Sequence, residues 1–209
     1  MSGIYFEGTS SGISLAALDG HVVAVDSIPA EGTADMKLIV PKTTAKKLIS
    51  MGVIDDVTLT YTKNSAVFKS DEYTIYTRLI EGNYFPYQKM FTVGEINTCA
   101  SRTALIGAMT RAKMCTEEKQ PVVFQIEGNI LNISIRDKLA DYQEQVSLQE
   151  TVYKSIRLGF DSKLVLETLK AFTCDNIALG FTSPRTPMIV EAEDSDMKAM
   201  VLPVAIREE

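Results

Sequence analysis

Little in this chain points to catalysis. It has one histidine, His21, and three cysteines, Cys99, Cys115 and Cys174. A lone histidine with no identifiable nucleophile beside it builds no catalytic triad. The cysteines are odd in number and lack metal-ligand spacing, so they read as reduced thiols in a cytoplasmic protein. There is no phosphate-binding loop, dinucleotide fingerprint or zinc spacing. No apolar run approaches the roughly 18 residues of a membrane helix. The N-terminus lacks a basic segment followed by an apolar one, which predicts no signal peptide. Basic charge is not in excess either: the net charge is −6. These absences predict a non-enzymatic protein with no cofactor, no metal and no membrane. A paired carboxylate, Asp55-Asp56, recurs as Asp175-Asn176 before a similar strand and reads as turn chemistry.

What the chain does have is a repeat. Residues 55–62 read DDVTLTYT and residues 175–182 read DNIALGFT, an offset of 120. IYFEG (4–8) matches FQIEG (124–128) at the same offset, and ISLAALD (13–19) matches LNISIRD (131–137) at 118. Three matches in one order at nearly constant spacing mark a duplication. The period far exceeds the 20–50 residues of a solenoid unit, so each copy is a domain. The expected boundary gives domains 1–94 and 95–209.

Hydrophobic periodicity supplies the elements. In the second copy, Leu105, Ala108, Met109 and Ala112 predict a helix over 98–114. Alternating strands follow at 122–126 and 130–135, with Gly128-Asn129 as a hairpin signal, then at 143–148 and 152–160. A second helix starts at Asp161-Ser162, a helix-capping pair, and carries Val165, Leu169 and Phe172 on one face. Strands at 176–182, 187–192 and 198–204 complete the copy. The first copy is expected to hold strands at 3–8, 12–18, 21–27 and 35–40, a helix after Pro41, and strands at 56–62, 65–69 and 72–79. Its helix buries an Ala45/Ile49 stripe. This is an α+β pattern with antiparallel sheet. The first copy starts at the strand that the second reaches only after a helix, so the chain is expected to be truncated there, leaving an uncovered apolar face.

The charge is segregated. The three predicted helices carry eight basic and two acidic side chains, a surplus of six, so the rest of the chain holds −12. Lys46, Lys47, Arg111, Lys163 and Lys170 point away from the apolar stripes. A shared basic helical surface suits phosphate contact without base reading.

Four segments then resemble a known family: LDGHVVAV (18–25), RLIEGNYFPYQ (78–88), GFDSKLVLETLKAF (159–172) and MVLPVAI (200–206). They are similar to the bacterial sliding clamp, the beta subunit of DNA polymerase III, in its middle and last domains. The resemblance implies a DNA-clamp fold of tandem pseudo-repeated domains, with antiparallel sheets outside and helices lining the inner face. It implies a processivity factor that in full-length form is a head-to-tail homodimer encircling duplex DNA. Its partners would be polymerase III subunits, the clamp loader and repair proteins, docking through short peptide motifs. By resemblance, the peptide pocket would use Leu18, Gly20, His21, Val22 and Val23, with Phe85, Lys89 and Met90 from the junction. Pro187, Met200, Val201, Leu202, Pro203 and Val204 would complete it. Lys46, Lys47, Arg111, Lys163 and Lys170 would face DNA, and Met114 and Cys115 would lie on the ring interface. The chain departs from the family in carrying Val22 and Ala205 where Arg is usual, which removes two guanidinium groups from the pocket rim. The implied location is cytoplasmic, on the nucleoid, and the fragment alone is expected to be monomeric. The competing reading is a truncated or divergent paralogue that binds peptides and does not encircle DNA.

Overall fold

The computed structural model describes residues 3–33, 36–52, 56–115, 120–136, 141–194 and 196–206. The chain divides into two compact units, Met1–Asp19 with Val25–Pro86, and Gly20–Ala24 with Tyr87–Glu209. Asp55 of the carboxylate pair lies outside the described residues, as does the start of the strand expected at 35.

In the first unit, β1 (Gly3–Gly8) sits between β2 (Gly12–Leu18) and β4 (Lys37–Pro41), and β3 (Val22–Pro29) follows β2 in the sheet. Both pairings of β1 are antiparallel. α1 (Lys42–Ser50) follows, then a separate sheet of β5 (Thr58–Tyr61), β6 (Ser65–Lys69) and β7 (Thr74–Arg78). Pro41 is the residue before the helix, extended at ψ 142°, as the sequence predicts. Alternation in β6 buries Ala66 and Phe68, as a strand with one face inward must. The core here is two small clusters, one around Ile13, Met36 and Leu38 and one around Val40, Ala66 and Phe68.

The second unit opens with a 3-10 turn (Tyr87–Met90) and β8 (Ile96–Ser101). α2 (Arg102–Met114), β9 (Val122–Arg136), β10 (Asp141–Phe160) and α3 (Ser162–Ala171) follow. The chain then forms β11 (Asn176–Phe181), β12 (Met188–Ala192) and β13 (Lys198–Val201). The sheet order is β13-β12-β11-β8-β10-β9. One large core joins α2 and α3 to one face of this sheet, with Leu105, Met109, Phe124, Ile133, Leu169 and Phe181 among its buried members.

Several expectations need correction, among them the separate strands at 143–148 and 152–160, which are one strand, β10. Residues 98–101 are strand, not helix: Thr98 and Ala100 point inward from β8, and Ser101 caps α2 by accepting from the Ala104 N–H. Residues 128–129 are no hairpin turn, because β9 runs straight through them. Gly128 has φ +60°, and the β9–β10 register shifts between Ser147 and Ile156. A left-handed glycine within a ladder makes a bulge as readily as a turn, and the surplus residues of β10 absorb the shift. The last strand ends at Val201, short of 204.

The repeat survives in the ladders. Both units pair these strands antiparallel, with Ile4↔Val40 in the first and Phe124↔Leu158 in the second, a register two residues apart at the offset of 120. Each ladder ends where a helix begins, at Lys42 and at Ser162. Among the described residues the first unit has no counterpart of β8 and α2. Its helix shows the consequence. Leu169 of α3 is 1% exposed, whereas Ile49 of α1, 120 residues earlier, is 78% exposed. The Ala45/Ile49 stripe is therefore not the buried face. Thr44 is buried instead, its hydroxyl 2.7 Å from that of Thr77.

Candidate functional site

Most of the candidate groove residues belong to the second unit. Gly20 has φ +95°, with nothing within 4 Å of where a Cβ would stand. It is there for backbone freedom, letting the chain turn after Asp19. The turn leads into the opening residues of β3. The His21 carbonyl accepts the N–H of Leu202 at 2.8 Å. Val22 and Ala24 pack against the large core. Val23, which alternates with them, is buried without joining that core and so lies on the opposite face of the strand.

β13 repeats this logic. Ala199 and Val201 belong to the core, and Met200 between them is 1% exposed yet outside it. Ile189, its register partner on β12, behaves the same way. Val23, Ile189 and Met200 are thus buried on the face away from the helices. Past Val201, the segment Leu202, Pro203 and Val204 is half-buried. It is anchored by the Val204 N–H donating to the Gly159 carbonyl at 2.8 Å. A Cβ at Gly159 would stand 2.8 Å from the Val204 carbonyl oxygen and 2.9 Å from Ile206. Only glycine allows the C-terminal segment to lie this close, and nothing in the sequence pattern singled Gly159 out. Ala205, on the same segment, is exposed.

Pro187 is half-buried just before β12, after a turn closed by the Ser183 and Thr186 hydroxyls. Lys89 is exposed and Met90 half-buried on the 3-10 turn, whose anchor is the buried Tyr87. Next to it, the Lys198 ammonium sits 5.1 Å from the centre of the Phe91 ring, a cation–π distance. Leu18 and Phe85 belong to the first unit. Phe85 is 46% exposed. Its neighbour Tyr84 stacks on Tyr5 with ring centres 4.9 Å apart and reaches the Ala16 carbonyl at 3.1 Å.

The basic helices divide by environment. Lys42, Lys46 and Lys47 of α1, and Lys163 and Lys170 of α3, are exposed. Asp161 caps α3 by accepting from the Lys163 and Leu164 N–H groups at 2.8 and 3.1 Å, as its sequence position predicts. Arg102 is half-buried, and its Nε–H donates to the Cys174 carbonyl at 2.7 Å. Arg111 is exposed but paired: its guanidinium forks onto the Glu144 carboxylate, with Nε to Oε2 at 2.8 Å. The Tyr142 hydroxyl is within reach of both that carboxylate and the Ala108 carbonyl. Arg111, then Tyr142, hold the Glu144 carboxyl down at about 2. Burial first, and Glu144 second, push the Tyr142 hydroxyl up to about 12. Glu144 was not visible as a partner because it sits 33 residues away on another element.

Met114 is 82% exposed at the end of α2, and Cys115 is its half-buried capping residue. Among the described residues no His, Cys, Asp or Glu cluster could hold a metal ion, and no helix is long and apolar enough to cross a membrane.

Comparisons with known proteins agree with this architecture. Residues 1–86 match the model of the central domain of the DNA polymerase III beta subunit, and residues 94–205 match that of its C-terminal domain. The chain is 23% identical to the beta sliding clamp of Halalkalibacterium halodurans, over 94% of this chain and 54% of that protein. It is 24% identical to that of Staphylococcus epidermidis, over 90% and 52%. The chain therefore spans about half the length of the curated relatives it matches. Among solved structures, a sliding clamp from Pseudomonas aeruginosa, crystallised with a ligand, superposes with a TM-score of 0.91 at 20% identity, over 98% of this chain and 58% of that one. A putative beta subunit from Eubacterium rectale gives 0.90 at 24%, over 98% and 57%. The mainly antiparallel sheets and few helices are thus the clamp fold, and the chain belongs to the DNA polymerase III beta subunit, or beta sliding clamp, family.

Proposed function

We propose that this chain forms the middle and last domains of a processivity clamp that, as a head-to-tail homodimer, encircles duplex DNA and tethers polymerase and repair proteins. One observation carries the reading: two consecutive domain models of one clamp family match in order along almost the whole chain. The work done is topological, so no catalytic group is needed. Sliding requires phosphate contacts that are individually weak and indifferent to sequence. Exposed Lys46, Lys47, Lys163 and Lys170 suit that role. Arg111 shares the helical surface but is paired with Glu144. Met114 and Cys115 would meet a partner subunit, and the protein would work in the cytoplasm, on the nucleoid.

The proposed docking site for partner peptides is the apolar strip of the second unit. Leu202, Pro203 and Val204 would form it beside His21, with Val23 and Met200 beneath on the face away from the helices and Val22, Lys89, Met90 and Pro187 as further walls; Val201, 0% exposed in the core, would only back it. Gly20 sets the turn, and Leu18 and Phe85 are the first unit's residues in the set. A concave apolar surface with few polar groups is a favoured ligand site. With Val22 and Ala205 at the rim, affinity would come from apolar anchoring.

The test is fluorescence anisotropy with a labelled peptide ending in Leu-Phe, and with griselimycin, to which a Pseudomonas aeruginosa clamp was solved bound, as a competitor. Saturable binding that Leu202→Asp abolishes is expected. Leu202 is only half-buried, so this variant should fold, whereas Met200 at 1% exposure is too deep for a clean substitution. An unmutated chain that binds neither probe removes the docking site. For the ring, the protein as its gene encodes it should stay on circular duplex DNA and slide off linear DNA. Equal loss from both would overturn encirclement.

A further inference from the structure

We propose that the second unit meets phosphate through α3, at Lys163 and Lys170, and that Arg111 of α2 is a positioning residue whose charge is spent on Glu144. This deepens, and rests on, the DNA-facing reading of the helices.

The guanidinium is held in a built arrangement. Its Nε–H and one Nη2–H donate to the two oxygens of the Glu144 carboxylate on β10, the fork geometry that makes Arg–carboxylate pairs specific. Gly107, one turn earlier on α2, leaves room for it. A Cβ at Gly107 would stand 3.3 Å from Arg111 Nη2 and 3.4 Å from Nη1. The guanidinium therefore lies back across the helix toward the sheet. The same carboxylate is within hydrogen-bond reach of the Tyr142 hydroxyl, which also reaches the Ala108 carbonyl in the middle of α2. Gly107, Arg111, Glu144, Tyr142 and Ala108 form one clasp between α2 and β10.

A phosphate approaching this point meets no net charge. To bind it, Arg111 would have to leave Glu144, and the freed carboxylate would then repel the same phosphate. Lys163 and Lys170 on α3 make no ion pair among the described residues; Glu167 is the one acidic side chain within the helix, and Asp161 is occupied with the N-terminal N–H groups. A phosphate neutralised by a lysine of α3 releases its counterions, whereas beside Arg111 the Glu144 carboxylate already offsets the charge.

The experiment measures duplex-DNA affinity of the chain against salt. Lys163→Ala and Lys170→Ala should each shrink the log–log salt slope by about 0.9. Arg111→Gln with Glu144→Gln, which removes the pair at constant charge, should leave the slope unchanged. Glu144→Gln alone should steepen it by about 0.9, because it frees the guanidinium. A double variant that loses as much slope as Lys163→Ala overturns the proposal. If the unmutated chain shows no salt-dependent DNA binding, the DNA-facing reading fails, and inorganic phosphate decides the matter of Arg111. By NMR, phosphate should shift the Lys163 and Lys170 ammonium signals and leave the Arg111 Nε–H unmoved. Equal shifts at all three would sink the clasp as a neutralising device.

Discussion

Gly107→Ala sets two effects of similar size against each other, and the structure says which wins. Alanine in a helix interior is favoured over glycine by about 1 kcal/mol. Against this stands the Arg111 guanidinium, which a new Cβ would touch at 3.3 Å. That contact is tight rather than impossible, and it is with the far end of a flexible, exposed side chain. The worst case is loss of the Arg111–Glu144 pair. An exposed pair of this kind contributes little, so the helix gain wins and the variant should be more stable by up to about 1 kcal/mol. For a chain of this size that is a Tm rise of up to about 3 °C by calorimetry. The pH dependence sharpens the test. Glu144 has its folded pKa lowered from 4.5 to about 2, so its contribution is present above 4.5 and is lost as pH falls toward 2. In acid the unmutated protein loses the pair too, and only the helix gain remains to separate the two. The advantage of Gly107→Ala should therefore grow between pH 7 and pH 2.5. A Tm that falls by more than about 2 °C at pH 7, or an advantage that shrinks in acid, would refute the reasoning.

Three further outcomes are expected. Asp161→Ala removes both capping bonds of α3 and should cost about 1 kcal/mol, read as a Tm drop of about 2–4 °C; no change would mean the cap is idle. Ile49→Lys should alter stability by less than about 0.5 kcal/mol, whereas Leu169→Lys at the equivalent site should unfold the second unit, since it buries an unpaired charge; comparable losses would contradict the exposure of Ile49. The Cys99 thiol is pushed up to about 11 by burial first, then by Glu150 and Glu193. Its thiolate at pH 8 is scarcer by about a hundredfold, partly offset by greater nucleophilicity. Iodoacetamide should label it about tenfold more slowly than a free cysteine peptide, and Glu193→Gln should recover part of the rate; labelling at the peptide's rate would disprove the shift.

The sequence carried most of the element order and the location of α3, because those rest on local signals. Val165 and Leu169 lie four residues apart and bury together, and Asp161 caps the helix that its position announced. Errors arose where the deciding partner was distant. Gly128 looked like a hairpin turn until the surplus residues of β10, some 20 positions on, showed it to be a bulge. Residues 98–101 fit a helical pattern, yet the edges of β11 and β10 claim them as strand. Gly159 matters only because Val204 passes over it. Arg111 looked like a free cation because Glu144 is 33 residues away.

The pair Ile49 and Leu169 shows how far a repeat can be trusted. Their helices follow matching ladders and occupy matching places in their units, so the backbone template is shared. Leu169 is buried because α2 packs beside α3 and joins the same core. Ile49 is exposed because, among the described residues, α1 has no helix beside it. An apolar position thus encodes the capacity to be buried, and a neighbouring element decides whether that capacity is used. The same distinction governs charge. Lys163 and Arg111 carry the same sign on two packed helices, yet Glu144 leaves only one of them with a net field to offer a phosphate. Counting basic residues on helices identifies a surface that can attract DNA; the contacts across to the sheet determine how much of that attraction remains.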